Sequence, residues 1–410
     1  MRRPSADRGA ALPGVILVAV GVLLVAAAGV LKWVIVPSQT KLPANLNVNL
    51  AINGTYSGIN NAALDKGDLA HLKLENAPIT FYWSVHAEKG QGGSLLVSDT
   101  QQIVLNSDGT HLTDQAFAYS MDAKTVQLTN TFTGKYALSF PQVDTRNPAP
   151  KSQTVPILNP PPNGVTINFP FSTPKSTVTG YNVYSQQTVP LSYAGNSSLA
   201  NLTSQNYVDT ISPYQRIVAP TALAQLPPAF PKAMIGAVAP LLGLPADVQA
   251  KLQAALPTLP DSVPLSYWYT DHSTFNVEPT TGVVLAIDQD QKWVMQIDTK
   301  AGPLQLQVLE LHIVPTPSAL TRQANLAKSN INKLDLMGNW VPLAMLVVGV
   351  LLIVGGVLLI VRRRPQAAEA VPAGAMDRPH VPATGRTRPA PDQADRQPLV
   401  EVGKDHATQT

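Results

Sequence analysis

Apolar positions run without a charged interruption in two places, residues 12–31 and residues 340–361. At about 1.5 Å rise per residue, a run of roughly twenty residues covers the ~30 Å hydrocarbon core of a bilayer, so both stretches are predicted to be membrane-spanning helices. Between them the pattern changes to alternation. From Lys41 to about Ser212, short segments rich in Val, Leu, Thr, Tyr and Phe read as strands, as in Gln127-Leu128-Thr129-Asn130-Thr131-Phe132. Turn chemistry separates them at Asn106-Ser107-Asp108-Gly109, where Asp-Gly supplies the positive φ of a tight hairpin. Residues 79–85, 165–171 and 178–189 are further strand candidates. The proline cluster within 147–163 predicts a loop or an extended crossing.

The texture shifts again over residues 219–264, which are apolar, lack alternation and are cut by prolines. Helices are predicted over 232–242 and 245–256. In the second, Pro245 can occupy the first turn, and Leu244, Val248, Leu252 and Leu256 form one stripe with Asp247, Gln249, Lys251 and Gln253 elsewhere. Neither is long enough to span. Strands resume at 265–269, 283–287, 292–298 and 304–314. In the last, Leu304, Leu306 and Val308 alternate with Gln305 and Gln307, then Leu309 and Leu311 continue shifted by one, the mark of a bulge. A short helix over 320–336 leads into the second span, and the tail, 362–410, is rich in proline, alanine and charge without periodicity, which predicts disorder.

These elements predict a membrane-anchored, β-rich α+β protein: a large antiparallel barrel-like ectodomain with a helical insertion, between N- and C-terminal transmembrane helices. Its parts are a cytoplasmic N-terminus (1–11), a first span (12–36), the exported domain (37–339, with the insertion at 219–264), a second span (340–361) and a cytoplasmic tail (362–410). Orientation follows from charge, since Lys and Arg beside spans stay inside. Arg2, Arg3 and Arg8 precede the first span, and Arg362, Arg363 and Arg364 follow the second. Trp33 and Trp340 then fall at the outer interface, where indoles prefer to sit. A cleaved signal peptide, with Ala26, Ala27 and Ala28 at the cleavage site, competes with a retained anchor; the apolar run continuing past that site favours the anchor. Gly14, Gly21 and Ala28 stand at heptad spacing, as do Gly349 and Gly356, a pattern that lets two helices approach closely.

Composition narrows the chemistry. The net charge of +3 gathers at the membrane exits, which points away from nucleic acid. Cysteine is absent, so disulfides, thiolate metal sites and a cysteine nucleophile are excluded, and a bacterial envelope protein is favoured. No nucleophile elbow, dinucleotide fingerprint, phosphate loop or His-Glu-x-x-His motif is present, and no cofactor or metal site is expected. Asp271-His272-Ser273 reads as a strand edge or turn, because neighbours on a strand face opposite ways and form no relay. Asp288-Gln289-Asp290 reads as a polar turn. The remaining candidate is the apolar insertion: Phe230, Met234, Ile235, Val238, Leu241, Leu242, Leu244, Val248 and Leu252 form either a mouth for lipid-like ligands or a cap on the barrel end.

Two resemblances bear on function. Glu278-Pro279-Thr280-Thr281-Gly282 resembles the Pro-x-Thr-Gly turn of class B scavenger receptors, with Pro279, Thr281 and Gly282 as its matching residues. That likeness implies a barrel with a tunnel and a helical apex admitting hydrophobic ligands. Val36-Pro37-Ser38-Gln39-Thr40-Lys41-Leu42-Pro43, Asn168-Phe169-Pro170-Phe171-Ser172-Thr173-Pro174-Lys175 and the same late turn resemble an actinobacterial envelope family known as porin PorA-like, which implies a channel. The expectation is a non-enzymatic, two-pass plasma-membrane protein whose exported domain binds or passes lipid-like molecules. The alternative is a porin-like channel for small hydrophilic solutes, requiring a homo-oligomer.

Overall fold

In a computed structural model, residues 12–60, 63–64, 66–90, 92–143, 152–158 and 164–362 are described. The flanking Arg2, Arg3, Arg8, Arg363 and Arg364, and the tail beyond Arg362, lie outside them. The first span begins as α1 (Leu12–Val30), passes through a π-helical turn at Leu31–Ile35 and ends in the short α2 (Val36–Gln39). Among the described residues fifteen strands follow in chain order: β1 (Asn47–Ile59), β2 (Lys73–Lys89), β3 (Ser94–Leu105), β4 (His111–Asp122), β5 (Leu128–Thr129), β6 (Lys135–Ser139), β7 (Ser152–Leu158) and β8 (Val178–Asn182) come first. Then come β9 (Gln187–Leu199), β10 (Leu202–Arg216), β11 (Ala229–Pro231), β12 (Ser262–Pro264), β13 (Ser266–Val277), β14 (Val284–Thr299) and β15 (Gly302–Val314).

Thirteen strands form one sheet, in the order β6-β7-β4-β3-β2-β1-β15-β14-β13-β10-β9-β8, with β5 also paired to β4. The sheet is mixed rather than wholly antiparallel, because β7 runs parallel to β4. Its paired order is open, yet β5, beside β4, and the edge strand β8 are bridged at Gly164 and Val165. The Leu128 amide donates to the Gly164 carbonyl, the Val165 amide to Thr179, and the Tyr181 amide to Val165. One extended dipeptide thus stitches β5 to β8, and the sheet curls around a continuous core.

Period-two patterning explains which residues face that core. On β4, Phe117, Tyr119 and Met121 point inward, while Ala116 and Ala118 point outward beneath Leu138, Phe140 and Val155 of the β6–β7 layer. Both faces are covered, so alternation vanishes there and the strand is buried continuously from Gln115 to Met121. On β15 alternation survives, with Gln305, Gln307 and His312 outward and Leu304, Leu306, Leu311 and Ile313 inward. The expected bulge lies at Val308, where the register against β14 shifts.

Several expectations are corrected. Residues 152–158, placed in the proline loop, form β7, with Pro156 opposite Lys135 of β6. Residues 165–171 form no strand beyond the bridge at Val165. Residues 178–189 divide into β8 and the start of β9 around a turn. Asp271-His272-Ser273 sits within β13 and Asp288-Gln289-Asp290 within β14, neither at a turn. Paired strands on both sides satisfy the polar backbone of these stretches, which removes the need for a loop.

The insertion comprises α3 (Pro220–Leu223), α4 (Lys232–Val238) extended by a 3-10 turn to Leu242, and α5 (Ala246–Ala255), held by the β11–β12 ribbon. The family-like turn also has a structural role. The Glu278 carboxylate accepts hydrogen bonds from the Thr280 and Thr281 amides and the Thr281 hydroxyl, and Gly282 has a φ of 70°. The Phe169 amide donates to the Gly282 carbonyl, and a Cβ at Gly282 would collide with the Phe169 carbonyl oxygen. The two motifs that carried the resemblance, 168–175 and 278–282, are therefore one hydrogen-bonded unit.

After β15, α6 (Pro317–Asp335) begins at an N-cap, Thr316, whose hydroxyl accepts from the Ala319 amide, with Pro317 in the first turn. It lays Ala324 and Ala327 on the sheet domain and continues through a π-helical turn, Leu336–Trp340, into α7 (Val341–Arg362). The expected short helix and second span are one helix, Pro317–Arg362. Both π turns have the same cause. The Val36 amide reaches the Leu31 carbonyl and the Val341 amide reaches Leu336, each one residue before a proline, Pro37 or Pro342. A widened turn accommodates a ring that would otherwise clash with the carbonyl four residues back.

The heptad glycines are the contact between the spans. A Cβ at Gly21 would lie 2.5 Å from the Gly349 carbonyl oxygen, and one at Gly14 would lie 2.9 Å from that of Gly356. The antiparallel register these pairs define sets Ala28 level with Pro342, and both are buried. Backbone approach of this kind is how helices associate where no hydrophobic force separates them from lipid. Because the chain has no cysteine, Val15→Cys and Leu359→Cys on the exposed faces can be spin-labelled cleanly. Adding Gly21→Leu should lengthen the measured distance by several ångströms; an unchanged distance would show that glycine contact does not set the pair.

Candidate functional site

The inward face of the curled sheet is not uniformly apolar. At mid-height Asp99, Gln101, Thr113, Gln115, Asp209, Asp271, Ser273, Gln289 and Gln291 line a cavity of about 170 Å³ together with Phe81, Trp83, Phe169, Phe275 and Trp293. These polar residues come from five strands, and alternation turns each inward. On β13, Asp271 and Ser273 face in while His272 faces out, and on β14 Gln289 and Gln291 face in between outward Asp288, Asp290 and Lys292.

The carboxylates are held by neighbours. The Trp83 indole donates to Asp99 at 2.8 Å. Gln289 donates to one oxygen of Asp271 at 2.8 Å and the Ser273 hydroxyl to the other at 2.7 Å. Burial nevertheless dominates all three. It raises Asp99 to about 7, despite the hydrogen bonds from Trp83 and Gln101. It raises Asp209 to about 7, with repulsion from Asp271 adding to the effect. Asp271 is raised to about 6 by burial, against the bonds from Ser273 and Gln289.

Tyr184 fills the centre. It lies in the turn between β8 and β9, fixed by the Asn182 carboxamide, which accepts from the Tyr184 and Ser185 amides. Its ring packs edge-on against Phe117, Tyr269 and Trp293, with centroids 5.3 to 5.7 Å away. Its hydroxyl donates to Gln101 at 2.9 Å. Burial raises the phenol far above its ordinary value, so it stays a neutral donor.

Further spaces adjoin the polar cavity at both ends. Thr113, Gln115, Trp293 and Leu309 are shared with a smaller space of about 60 Å³ that reaches Phe230. Beyond it, Phe230, Met234, Ile235, Val238 and Leu242 surround about 20 Å³, room for little more than one water. At the other end, Trp83 also lines a cavity of about 540 Å³ bounded by Leu42, Leu46, Val85, Phe171, Val283, Leu326 and Met337. It lies between the sheet and α6, beside the start of the helix that becomes the second span.

The insertion residues chosen from sequence therefore gather at one end of the sheet. Ile235 and Leu252 are fully within the core, Leu244 and Val248 line an outer groove, and Leu241 is 40% exposed without lining a cavity. Trp33 and Trp340 lie in the two π turns, 75% and 62% exposed, with the Trp340 indole donating to Asp335 at 3.1 Å. Pro279, Thr281 and Gly282 dock the 168–175 segment at the wall of the 540 Å³ cavity, to which Thr281 and Asn168 contribute. Of the lumen carboxylates, the sequence reading singles out neither Asp99 nor Asp209, and Asp271 only within Asp271-His272-Ser273, taken as a strand edge or turn. The available signal was a carboxylate in phase with buried apolar positions, as in Tyr267, Tyr269 and Asp271.

The outer face of the same strands is polar. Asn47, Asn49 and Asn53 on β1, Asp288, Asp290 and Lys292 on β14, and Gln305 and Gln307 on β15 are all exposed. Such a face suits water, in contrast to the apolar belt of an outer-membrane barrel. The apolar surface lies instead on the two long helices, which are long and apolar enough to cross a membrane. No curated protein matches this chain, so the resemblance to class B scavenger receptors gains no counterpart there. A family model does match, over residues 13–358, which takes in both helices and the whole sheet domain. The chain is a member of the Porin PorA family.

Proposed function

We propose that this is a non-enzymatic, porin-type envelope protein in which the sheet domain, held outside the plasma membrane by two spans with both termini cytoplasmic, passes small hydrophilic solutes through its lumen. The supporting observation is the polar lining of that lumen, where a barrel of this kind built only for stability would be filled with branched apolar side chains. The orientation draws on Arg362 at one end of α7 and Trp340 at the other. The spans are anchors: their glycines touch backbone to backbone and neither 12–31 nor 340–361 carries an ionisable group. A path across the bilayer accordingly requires a homo-oligomer. Purified full-length protein in planar bilayers should give stepwise conductance, and Tyr184→Ala, which empties the centre of the lumen, should raise the unit step severalfold. Silent bilayers containing folded protein would refute the channel, and an unaltered step in the variant would place the path elsewhere.

A second reading, uptake of lipid-like molecules, is favoured by the 540 Å³ cavity beside the second span. Its wall is largely apolar, and its Lys41 and Lys333 have no acidic partner among the described residues, which suits an acyl chain with an anionic head. Val283→Trp would fill it. Native mass spectrometry should then show loss of lipid that co-purifies at a fixed ratio with the parent protein; the same lipid retained on the variant would argue against this cavity.

The polar lumen also sets a pH dependence. Asp99 and Asp209 titrate near 7 in the folded protein and near 3.9 unfolded, so the folded state binds their protons more tightly. Stability from this source is complete below about pH 4 and falls as pH rises towards 7, by on the order of a few kcal/mol. Thermal midpoints should drop between pH 5 and pH 8, and Asp209→Asn should flatten the slope. A midpoint that rises across that interval would contradict the burial of these groups.

A further inference from the structure

Three carboxylates line the 170 Å³ cavity, and among the described residues no Lys, Arg or His does. Asp99 lies on β3 and Asp209 and Asp271 on β10 and β13, with β2, β1, β15 and β14 between them around one side of the sheet. Among the described residues, then, the cavity holds no positive counterpart to them. A second, independent feature is a shortage of donors. The Asp209 Oδ1 and Gln115 Oε1 atoms are buried and have no hydrogen-bond partner among the described residues, although both side chains are only 5% exposed and line this cavity.

We propose that the lumen binds a small organic ammonium ion, with its N–H groups directed to Asp209 and Gln115 and its alkyl part against Trp83 and Tyr184. This rests on the reading of the lumen as a solute path and names the class of solute it favours. Ring faces attract such cations as well as covering their carbon, and the attraction strengthens where water is displaced. A metal ion fits less well, because among the described residues no three His, Cys, Asp or Glu side chains converge closely enough to hold one. The volume is larger than a bare ion needs and is suited to a short alkylamine. The raised titration of Asp99 and Asp209 is the expected signature of carboxylates awaiting a cation and holding a proton in its place.

The test is isothermal titration of the detergent-purified full chain with butylammonium at pH 8, with 1-butanol as the neutral isostere. Butylammonium should bind saturably and butanol should not, and Asp209→Asn and Asp99→Asn should each weaken binding at least tenfold. Both variants remove a charge whose burial is unfavourable, so they should fold at least as well as the parent, which circular dichroism checks. Equal binding of butanol, unchanged affinity in both variants, or no saturable heat would each overturn the proposal. The assay needs no bilayer, so a protein that binds butylammonium but does not conduct defeats only the porin reading, and one that conducts without binding defeats only this one.

Discussion

The contact between Gly14 and Gly356 and between Gly21 and Gly349 fixes where the sheet domain begins and ends. Two antiparallel helices whose backbones touch deliver the chain to the domain and collect it again at nearly the same point. The first and last strands, β1 and β15, are thereby brought side by side, and they pair antiparallel from Asn53–Val314 to Gly58–Leu309. That pairing joins the half of the sheet built from β1 to β7 to the half built from β8 to β10 and β13 to β15. The sheet's continuity and the spans' proximity are two expressions of one geometric condition.

Within that frame the domain carries two kinds of interior. Towards the insertion end it is an ordinary core, closed by α4 and α5, with Ile235 and Leu252 buried. At mid-height it is polar, and the polar residues are held in place by one another: Trp83 on Asp99, Gln289 and Ser273 on Asp271, Tyr184 on Gln101. Buried carboxylates are costly unless paired, and here hydrogen bonds offset only part of the cost. A protein that keeps three of them in one cavity has given up stability there, which is the usual mark of a site selected for something other than folding.

The polar outer face and apolar helices divide the labour between water and lipid. Strand residues such as Asn49, Asp290 and Gln305 suit solvent, while the lipid-facing surface is confined to α1 and α7. At the junction, the π turns before Pro37 and Pro342 place Trp33 and Trp340 at the same level, and the 540 Å³ cavity lies just beyond them.

The spans, their heptad glycines, the helical insertion, the β15 bulge and the Asp108-Gly109 turn were all legible in the sequence, because each is set by local physics: run length, residue size, 3.6- or two-residue periodicity, and backbone freedom at glycine. Fusion of 317–335 with the second span was not legible, because Gly338 and Pro342 stand at the junction as breakers and the π turn at Leu336–Trp340 carries the helix past them. What only the tertiary structure decided is which strands neighbour one another and what their inward faces share. Asp99, Asp209 and Asp271 are far apart in the chain and look like solvent-facing residues one at a time; they meet because β1 pairs with β15 and because Gly164 and Val165 stitch β5 to β8. Burial, and with it the shifted titration and the demand for a cation, is a property of that closure, and no local pattern encodes it.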